Sequence, residues 1–584
     1  MKPRYALIPV TAGALFLLAA TLFIIVSGGS TVKAGGLSIS IHSLRAPVSI
    51  FWAFFMISAF ILLAWEKKSP AESRKYEDRE PLQRLELILL ILLFIAAFAL
   101  RLYKITMPPL DFHPTRQYNN AIIARQLYCN TLKAPEDRWK HGFYNVDDLF
   151  LEPPVSEMTA VLAYRIAGCE NLALPRIISS IFWLAGAAAL YCALRRISGR
   201  TGAFFGAFLF LFMPFSIASS RCFMPDPLMV SALCFYILAI FRYIEKPSAG
   251  NLALSLVTAA IAVFLKGMSV FIVIGGAGMM LLYRALTERR WKEGVFTFAL
   301  FLAMTSIPVS LYAALFLGGR FGGRLFGRFL PSLTFTLIPY AGWLNMLDIA
   351  LGVVFVAMAL LALATVRGAV RFALAGMLIG YAAFALVFNF HCATHDYYHM
   401  PLIPVVCVLA GAFIGRTVSL FEAYAGTRAS AVMTACMTGI LLLAFVTEGA
   451  PRITAQECVS QISLAEEMGC AVNHSRNTIL LAPYYGDLIK YYGWVEGSPW
   501  PDSRDLQYWE WEGEKLKDPS ELLLRWIERR HVKYFIATDV KELEKQRELA
   551  EFMDSNYQAL LKRDDAVIYD LSQSRQGLPS TMQK

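Results

Sequence analysis

Between residues 5 and 448 the chain passes through thirteen apolar stretches, divided by short basic knots. They fall at 5–27, 47–65, 84–106, 172–195, 201–219, 228–243, 251–265, 268–286, 294–317, 341–365, 372–390, 400–416 and 429–448. A bilayer crossing needs roughly 20 predominantly apolar residues, fewer where the helix is short or the bilayer thins. The pattern predicts a polytopic α-helical membrane protein with about thirteen transmembrane helices. Composition agrees: 57% of the 584 residues are hydrophobic and 17% charged, against about 25% charged in soluble domains. A soluble enzyme, a disordered scaffold and a nucleic-acid binder are excluded, so the net charge of +10 orients the chain in a membrane. The first stretch follows Lys2 and Arg4 and is too long for a signal peptide. No clear small-residue cleavage site follows it, so it is expected to stay as an anchor.

Basic residues collect in alternate loops. Lys67, Lys68, Arg74, Lys75, Arg79 and Arg84 fill one; Arg195, Arg196 and Arg200 a later one; Arg284, Arg289, Arg290 and Lys292 another. With thirteen spans these share the side of the N-terminus, which the positive-inside rule makes the cytoplasm. Arg116–Arg138 and Arg320–Arg328 are exceptions on the opposite, extracytoplasmic face, where positive charge calls for a use. That face also receives the loop 107–171, the turns near 220–227, 266–267 and 391–399, all eight histidines and the tail 449–584. Three regions follow: an N-terminal hairpin with a basic cytoplasmic loop (1–83), a transmembrane core (84–448) and a soluble part (449–584). In the tail, strand-like runs near 478–482, 532–538 and 566–571 alternate with amphipathic helix patterns at 519–531 and 540–554, which predicts a small extracytoplasmic α/β domain. Cys458 and Cys470 lie there and are equally compatible with a disulfide or two thiols. The Gly-rich segment 317–329 lacks the strand-turn-helix setting of a phosphate loop.

Polar residues at span ends on one face mark a site. Asp111 follows the third stretch, with His113, Arg116 and Gln117 beside it and a helical pattern from Gln117 to Tyr128 expected along the membrane surface. The alternative is a solvated loop with a capping Asp. Glu152 precedes Pro153 and Pro154, which open a second amphipathic helix, a common device for starting one. The turn SRCFMPDPLM carries Arg221 and Asp226, either as site residues or as a salt bridge fixing the turn. Lys266 interrupts an apolar stretch from 251 to 283, placed for a lipid phosphate or merely snorkelling to the interface. His391, His395 and His399 recur at i, i+4 and i+8. One helix face would suit a metal, but Pro401 breaks the pattern and hydrogen bonding to substrate is preferred, with Tyr398 beside them.

In this order the motifs resemble the polyprenyl-phosphate-dependent glycosyltransferases of the GT-C fold, protein O-mannosyltransferases and lipid A aminoarabinose transferases in particular. The resemblance covers roughly residues 84–415. It rests on Asp111 after the first core span, AIIARQLY (121–128), EPPVSEM (152–158), LPRIISSIFW (174–183), Arg221 to Asp226, Lys266 with Gly267, and DYYHMPLIP (396–404). The sequence departs from it where Phe112 and His113 follow Asp111 and where Glu152 precedes the proline pair. The resemblance implies an integral inner-membrane enzyme that moves a hexosyl or pentosyl group from a polyprenyl-phosphate donor to a lipid, glycan or protein hydroxyl on the extracytoplasmic face, with inversion. Asp111 would be the catalytic base. Arg116, Arg221 and Lys266 would face the donor phosphate. His113, Glu152, Asp226, His395 and Tyr398 would contact substrate. No cofactor is expected; a divalent metal at His391, His395 and His399 is the lesser possibility. A lipid-linked-sugar flippase or a non-catalytic assembly component of the same fold is the competing class. Against a transporter, no internal repeat is evident and the polar residues gather on one face.

Overall fold

The computed structural model describes residues 13, 19, 30–34, 37–41, 45–68, 84–146, 149–317, 330–453, 459–511 and 518–574. The 5–27 stretch, apart from Gly13 and Ala19, the segment 318–329 with its arginines, most of the basic loop 69–83 and Cys458 lie outside them. The chain forms two compact units.

The first comprises Met1–Ile105, Arg176–Leu317 and Arg328–Thr454. Its described residues include an antiparallel hairpin of β1 (Ser30–Ala34) and β2 (Leu37–Ile41); the other regular elements among them are helical. Among the described residues seven helices are long and apolar enough to cross a membrane: Ala173–Phe212, Asp226–Glu245, Gly267–Glu288, Trp291–Leu315, Gly368–Val387, Asp396–Ala425 and Thr427–Gly449. An eighth is added if the bent pair Ile338–Leu351 and Val353–Ala362 counts as one span. The expected thirteen is not confirmed by this measure, which takes in the described residues alone. The 341–365 run bends by 89° at Gly352, whose φ of 77° is open to glycine at little cost. The runs 172–195 and 201–219 lie within Ala173–Phe212 as two helical stretches parted at Gly199, whose φ of 67° and ψ of −163° are not helical, and the helix Ala249–Leu265 has only 17 residues.

Close backbone approach holds this unit together. A Cβ on Gly376 would sit 2.1 Å from the Gly275 carbonyl oxygen, and one on Gly380 would sit 2.0 Å from that of Phe271. The helices Val270–Glu288 and Gly368–Val387 therefore pack with no side chain between them at these points, the small-residue packing that lipid-embedded helices favour. Where the end of the Arg84–Leu102 helix meets the turn at 220–221, arginines do the tying. The Arg101 Nε donates to Ser220 Oγ at 2.7 Å and its Nη2 to the Leu211 carbonyl at 2.8 Å. The Arg176 Nη1 donates to the Ile105 carbonyl at 2.8 Å. All are buried, so their charge-assisted bonds satisfy carbonyls that end helices.

The second unit comprises Thr106–Pro175, Gly318–Gly327 and Ala455–Lys584. Its sheet has the order β4-β3-β5-β7-β6, with β3 (Thr478–Leu481), β4 (Gly497–Pro499), β5 (Tyr534–Ala537), β6 (Tyr557–Lys562) and β7 (Val567–Ser574). β3 runs parallel to both β4 and β5; β7 is antiparallel to β5 and β6. The three strand-like runs of the tail became β3, β5 and β7. Their apolar residues, Ile479, Leu481, Phe535 and Tyr569 among them, build the core with Leu523 and Met553 from two helices.

The first long loop is an integral part of this unit. Its helix Pro114–Cys129 is largely buried instead of lying as a surface stripe on lipid. Arg125 explains why: its guanidinium stacks 3.5 Å from the Tyr491 ring centroid, pairs with Glu170 at 3.0 Å and donates to the Tyr491 carbonyl. The Tyr144 hydroxyl donates to the Lys490 carbonyl at 2.6 Å. The second loop helix, Val155–Ala167, buries Ala160 and Tyr164 and exposes Met158, Leu162 and Ile166. That apolar stripe at i, i+4, i+8 is the amphipathic face the sequence predicts.

Candidate functional site

Asp111 stands in the turn 107–113, whose shape follows from its residues. The Leu110 N–H donates to the Pro108 carbonyl at 2.8 Å, closing a tight turn over Pro109 whose φ the proline ring fixes, and Pro114 opens the next helix at its first turn. His113 takes the left-handed conformation, φ 41°. The Gln117 side-chain amide, one turn into that helix, reaches back and donates to the Pro109 and Phe112 carbonyls. Gln117 thereby holds the peptide that follows Asp111. Asp111 itself is half-buried.

Arg116 and Glu152, 36 residues apart, meet here. One guanidinium nitrogen, Nη2, donates to both carboxylate oxygens, at 3.0 and 2.9 Å. Glu157, inside the EPPVSEM motif, is a site residue that the motif alone does not single out. It is buried, and desolvation pushes its carboxyl up to about 8, with the negative charge of Glu152 adding to the effect and Arg116 opposing it. At neutral pH it is mostly protonated and able to donate a hydrogen bond. The signal was legible: a carboxylate on the apolar side of an amphipathic helix.

The membrane unit holds the other candidates. Lys266 lies at the break between the helix Ala249–Leu265 and the 3-10 turn Gly267–Ser269. Its Nζ is 2.6 Å from Asp226 Oδ1, with 3% and 0% of the two side chains exposed, and 5.0 Å from the Tyr397 ring centroid. Lys266 is thus an enclosed ion pair, not a snorkelling cation. Arg221 donates to the Tyr103 carbonyl at 2.7 Å and to that of Lys104 at 3.4 Å. The turn is tied through backbone, and Asp226 has Lys266 as its ionic partner in place of Arg221.

The three histidines do not share a helix face. The helix Asn389–Thr394 ends at His395, whose φ of −126° is extended, and a 3-10 segment Asp396–Leu402 carries His399. Pro401 and Pro404 disfavour a continuous α-helix here. His391 and His395 stack at 5.6 Å between centroids, with Tyr398 5.4 Å from His391 and 5.8 Å from His395. His399 faces a buried chain of hydrogen bonds instead. Trp343 Nε1 donates to Tyr381 Oη at 2.7 Å, Tyr381 Oη lies 2.5 Å from His399 Nδ1, and His399 Nε2 lies 2.9 Å from the Cys392 carbonyl. The carbonyl can only accept, so Nε2 carries a proton and Nδ1 accepts from the tyrosine. Both ring nitrogens are committed, which removes His399 from any metal set. Among the described residues no three His, Cys, Asp or Glu side chains converge as a metal site.

Residues 151–312 match the family model of dolichyl-phosphate-mannose-protein mannosyltransferases. No curated protein is matched by this sequence. Among solved structures, ArnT from Cupriavidus metallidurans bound to undecaprenyl phosphate is similar at 13% identity, over 82% of this chain and 97% of that one, with a TM-score of 0.50. Its apo form gives 14%, 83%, 98% and 0.51. The archaeal oligosaccharyltransferase AglB from Archaeoglobus fulgidus, in complex with an inhibitory peptide and a dolichol-phosphate, gives 12%, 82%, 73% and 0.51. The fold is that of the GT-C membrane glycosyltransferases, a multi-pass helical unit with a small α/β sheet.

Proposed function

We propose that this chain is an integral membrane glycosyltransferase, taking a sugar from a polyprenyl-phosphate donor and placing it on an acceptor hydroxyl at the extracytoplasmic face. The observation that carries it is the match of residues 151–312 to an enzyme family named for a polyprenyl-type phosphate sugar donor. The GT-C fold supports it. The charge pattern of the loops supports the sidedness and, with it, residence in the inner membrane.

The residues supply the chemistry that such a transfer needs. The acceptor oxygen forms a bond to the anomeric carbon while the bond from that carbon to the phosphate oxygen breaks. The hydroxyl proton passes to the Asp111 carboxylate, and the polyprenyl phosphate leaves with the electron pair. Attack opposite the leaving group inverts the anomeric centre. Lys266 and Arg116 are the cations assigned to the phosphate, with Asp226 and Glu152 fixing their ammonium and guanidinium in place. Arg221 is assigned to the same phosphate from its turn. His113, His395 and Tyr398 are assigned to substrate hydroxyls.

Asp111→Asn tests the assignment. It keeps the size of the side chain and removes the base, so transfer should fall by about 10²–10⁴-fold with little change in thermal stability. Mass spectrometry of envelope lipids and glycans in cells carrying each variant reads the product. Wild-type product levels from Asp111→Asn, at limiting expression, would defeat the assignment.

A further inference from the structure

β3 and β5 lie side by side and parallel, ending at Leu481 and Ala537. Ligands of open sheets with parallel strands bind in the crevice outside the carboxyl ends of the strands. In this unit a cavity of about 310 Å³ opens there, lined by residues that follow β3, Ala482 to Tyr484, and β5, Thr538 to Lys541. The helices Val459–Ala471 and Asp487–Gly493 and the turn between β6 and β7 complete its walls. Its volume reaches the lower end of small-molecule sites, roughly 300–1,000 Å³. None of its lining residues is among those assigned to sugar transfer.

The walls are of two kinds. Leu464, Pro483, Leu488 and Val540 give apolar surface, and Tyr484 adds an aromatic ring. Gln461, Thr538, Asp539, Lys541, Asp564 and Asp565 bring the polar groups. Asp539, Asp564 and Asp565 outnumber Lys541 even with Arg563 paired to Asp565 at 2.9 Å, so the lining is formally negative, which disfavours phosphates, nucleotides and anionic headgroups. A ligand with an apolar C–H face and hydroxyls around its edge answers both kinds of wall: the face packs on Leu464 and Tyr484, and the edge donates to carboxylate and amide oxygens.

The backbone leaving β3 is specialised. Tyr484 and Tyr485 have φ of 55° and 56°, a left-handed conformation that non-glycine residues rarely adopt. The two tyrosines then diverge in use. The Tyr485 hydroxyl is anchored on Asp505 at 3.0 Å, and Tyr484 forms cavity wall.

We propose that this crevice binds an uncharged sugar ring, so that the soluble unit carries a carbohydrate site of its own. The inference does not depend on the transferase reading. Its test uses the full chain in nanodiscs, free of sugar-based detergent. Saturation-transfer NMR is run with glucose, galactose, mannose and N-acetylglucosamine, and with the phosphate ester of whichever sugar binds. At least one neutral sugar should give a saturable signal. Leu464→Trp, which fills the cavity, and Gln461→Ala, at the exposed edge, should each weaken it by about tenfold. Arg116→Ala should leave it unchanged, and the phosphate ester should bind at least about tenfold more weakly than its parent sugar. Failure of all four sugars to saturate overturns the proposal. So do undiminished binding by both cavity variants, loss of binding in Arg116→Ala, and binding of the phosphate ester as tight as that of the sugar.

Discussion

Lys266 and Asp226 form an enclosed ion pair of 2.6 Å, drawn from two different helix ends 40 residues apart. A cation meant only for a phosphate would be left uncompensated whenever the phosphate is away. In the structure Asp226 supplies that compensation.

The pair makes a stability prediction separable from function. Removing one partner leaves a buried charge, at a cost of about 3–5 kcal/mol. Lys266→Ala should therefore lower the thermal transition as well as donor use. The double variant Lys266→Met with Asp226→Leu should recover most of the stability, because well-packed apolar replacements of buried pairs are often neutral. It should not recover transfer. Normal transfer by the double variant would show that the pair is structural alone.

Glu157 sets a pH dependence. Its carboxyl titrates near 4.5 when unfolded and is held up to about 8 by burial in the fold. The folded state thus binds the proton more tightly. This contribution to stability is full below pH 4.5 and is lost as pH rises through 8, at up to about 1.4 kcal/mol per pH unit. Glu157→Gln cannot titrate and should flatten that part of the profile, gaining on the wild type at alkaline pH. Thermal unfolding followed from about pH 5 to about pH 9 covers the window. Parallel profiles for the two proteins would contradict the assignment.

Tyr381 is the hinge of the buried chain from Trp343 to His399. Tyr381→Phe leaves Trp343 Nε1 and His399 Nδ1 without that hydroxyl, and should cost about 1–3 kcal/mol for each group left unsatisfied. With both nitrogens of His399 committed and Lys266 and Arg116 assigned to the phosphate, sugar transfer should survive a strong chelator. Activity abolished by chelation and restored by zinc or another divalent ion would contradict this.

Much of the architecture was legible because lipid imposes it: backbone groups in a bilayer must be satisfied within helices, so apolar runs read directly as helices. β3, β5 and β7 were legible for their β-branched and aromatic content. β4 and β6 were not, being edge strands whose residues carry little apolar pattern. The bend at Gly352 hides inside a single apolar run, whereas the kink at Gly199 falls in the basic knot Arg195 to Arg200 that the sequence shows as a break. The helix Pro114–Cys129 shows an apolar stripe in sequence, but what covers it, Tyr491 among others, lies more than 360 residues later. Likewise Lys266 and Asp226 were each visible as unusual residues, and their pairing was not, since it depends on two separate helix ends meeting. The histidine spacing would need an unbroken helix to share one face, and Pro401 already spoke against one in the sequence.

The central claim is transfer from a polyprenyl-phosphate sugar. It is tested most directly by reconstituting the purified protein in liposomes with the cell's polyprenyl-phosphate-sugar pool and its envelope acceptor fraction, and following free polyprenyl phosphate together with acceptor mass. The account predicts that free polyprenyl phosphate and an acceptor heavier by one sugar appear in equal amounts, and that both depend on Asp111. Donor that crosses the bilayer with its sugar still attached, with no gain in acceptor mass, would contradict it and make the chain a transporter.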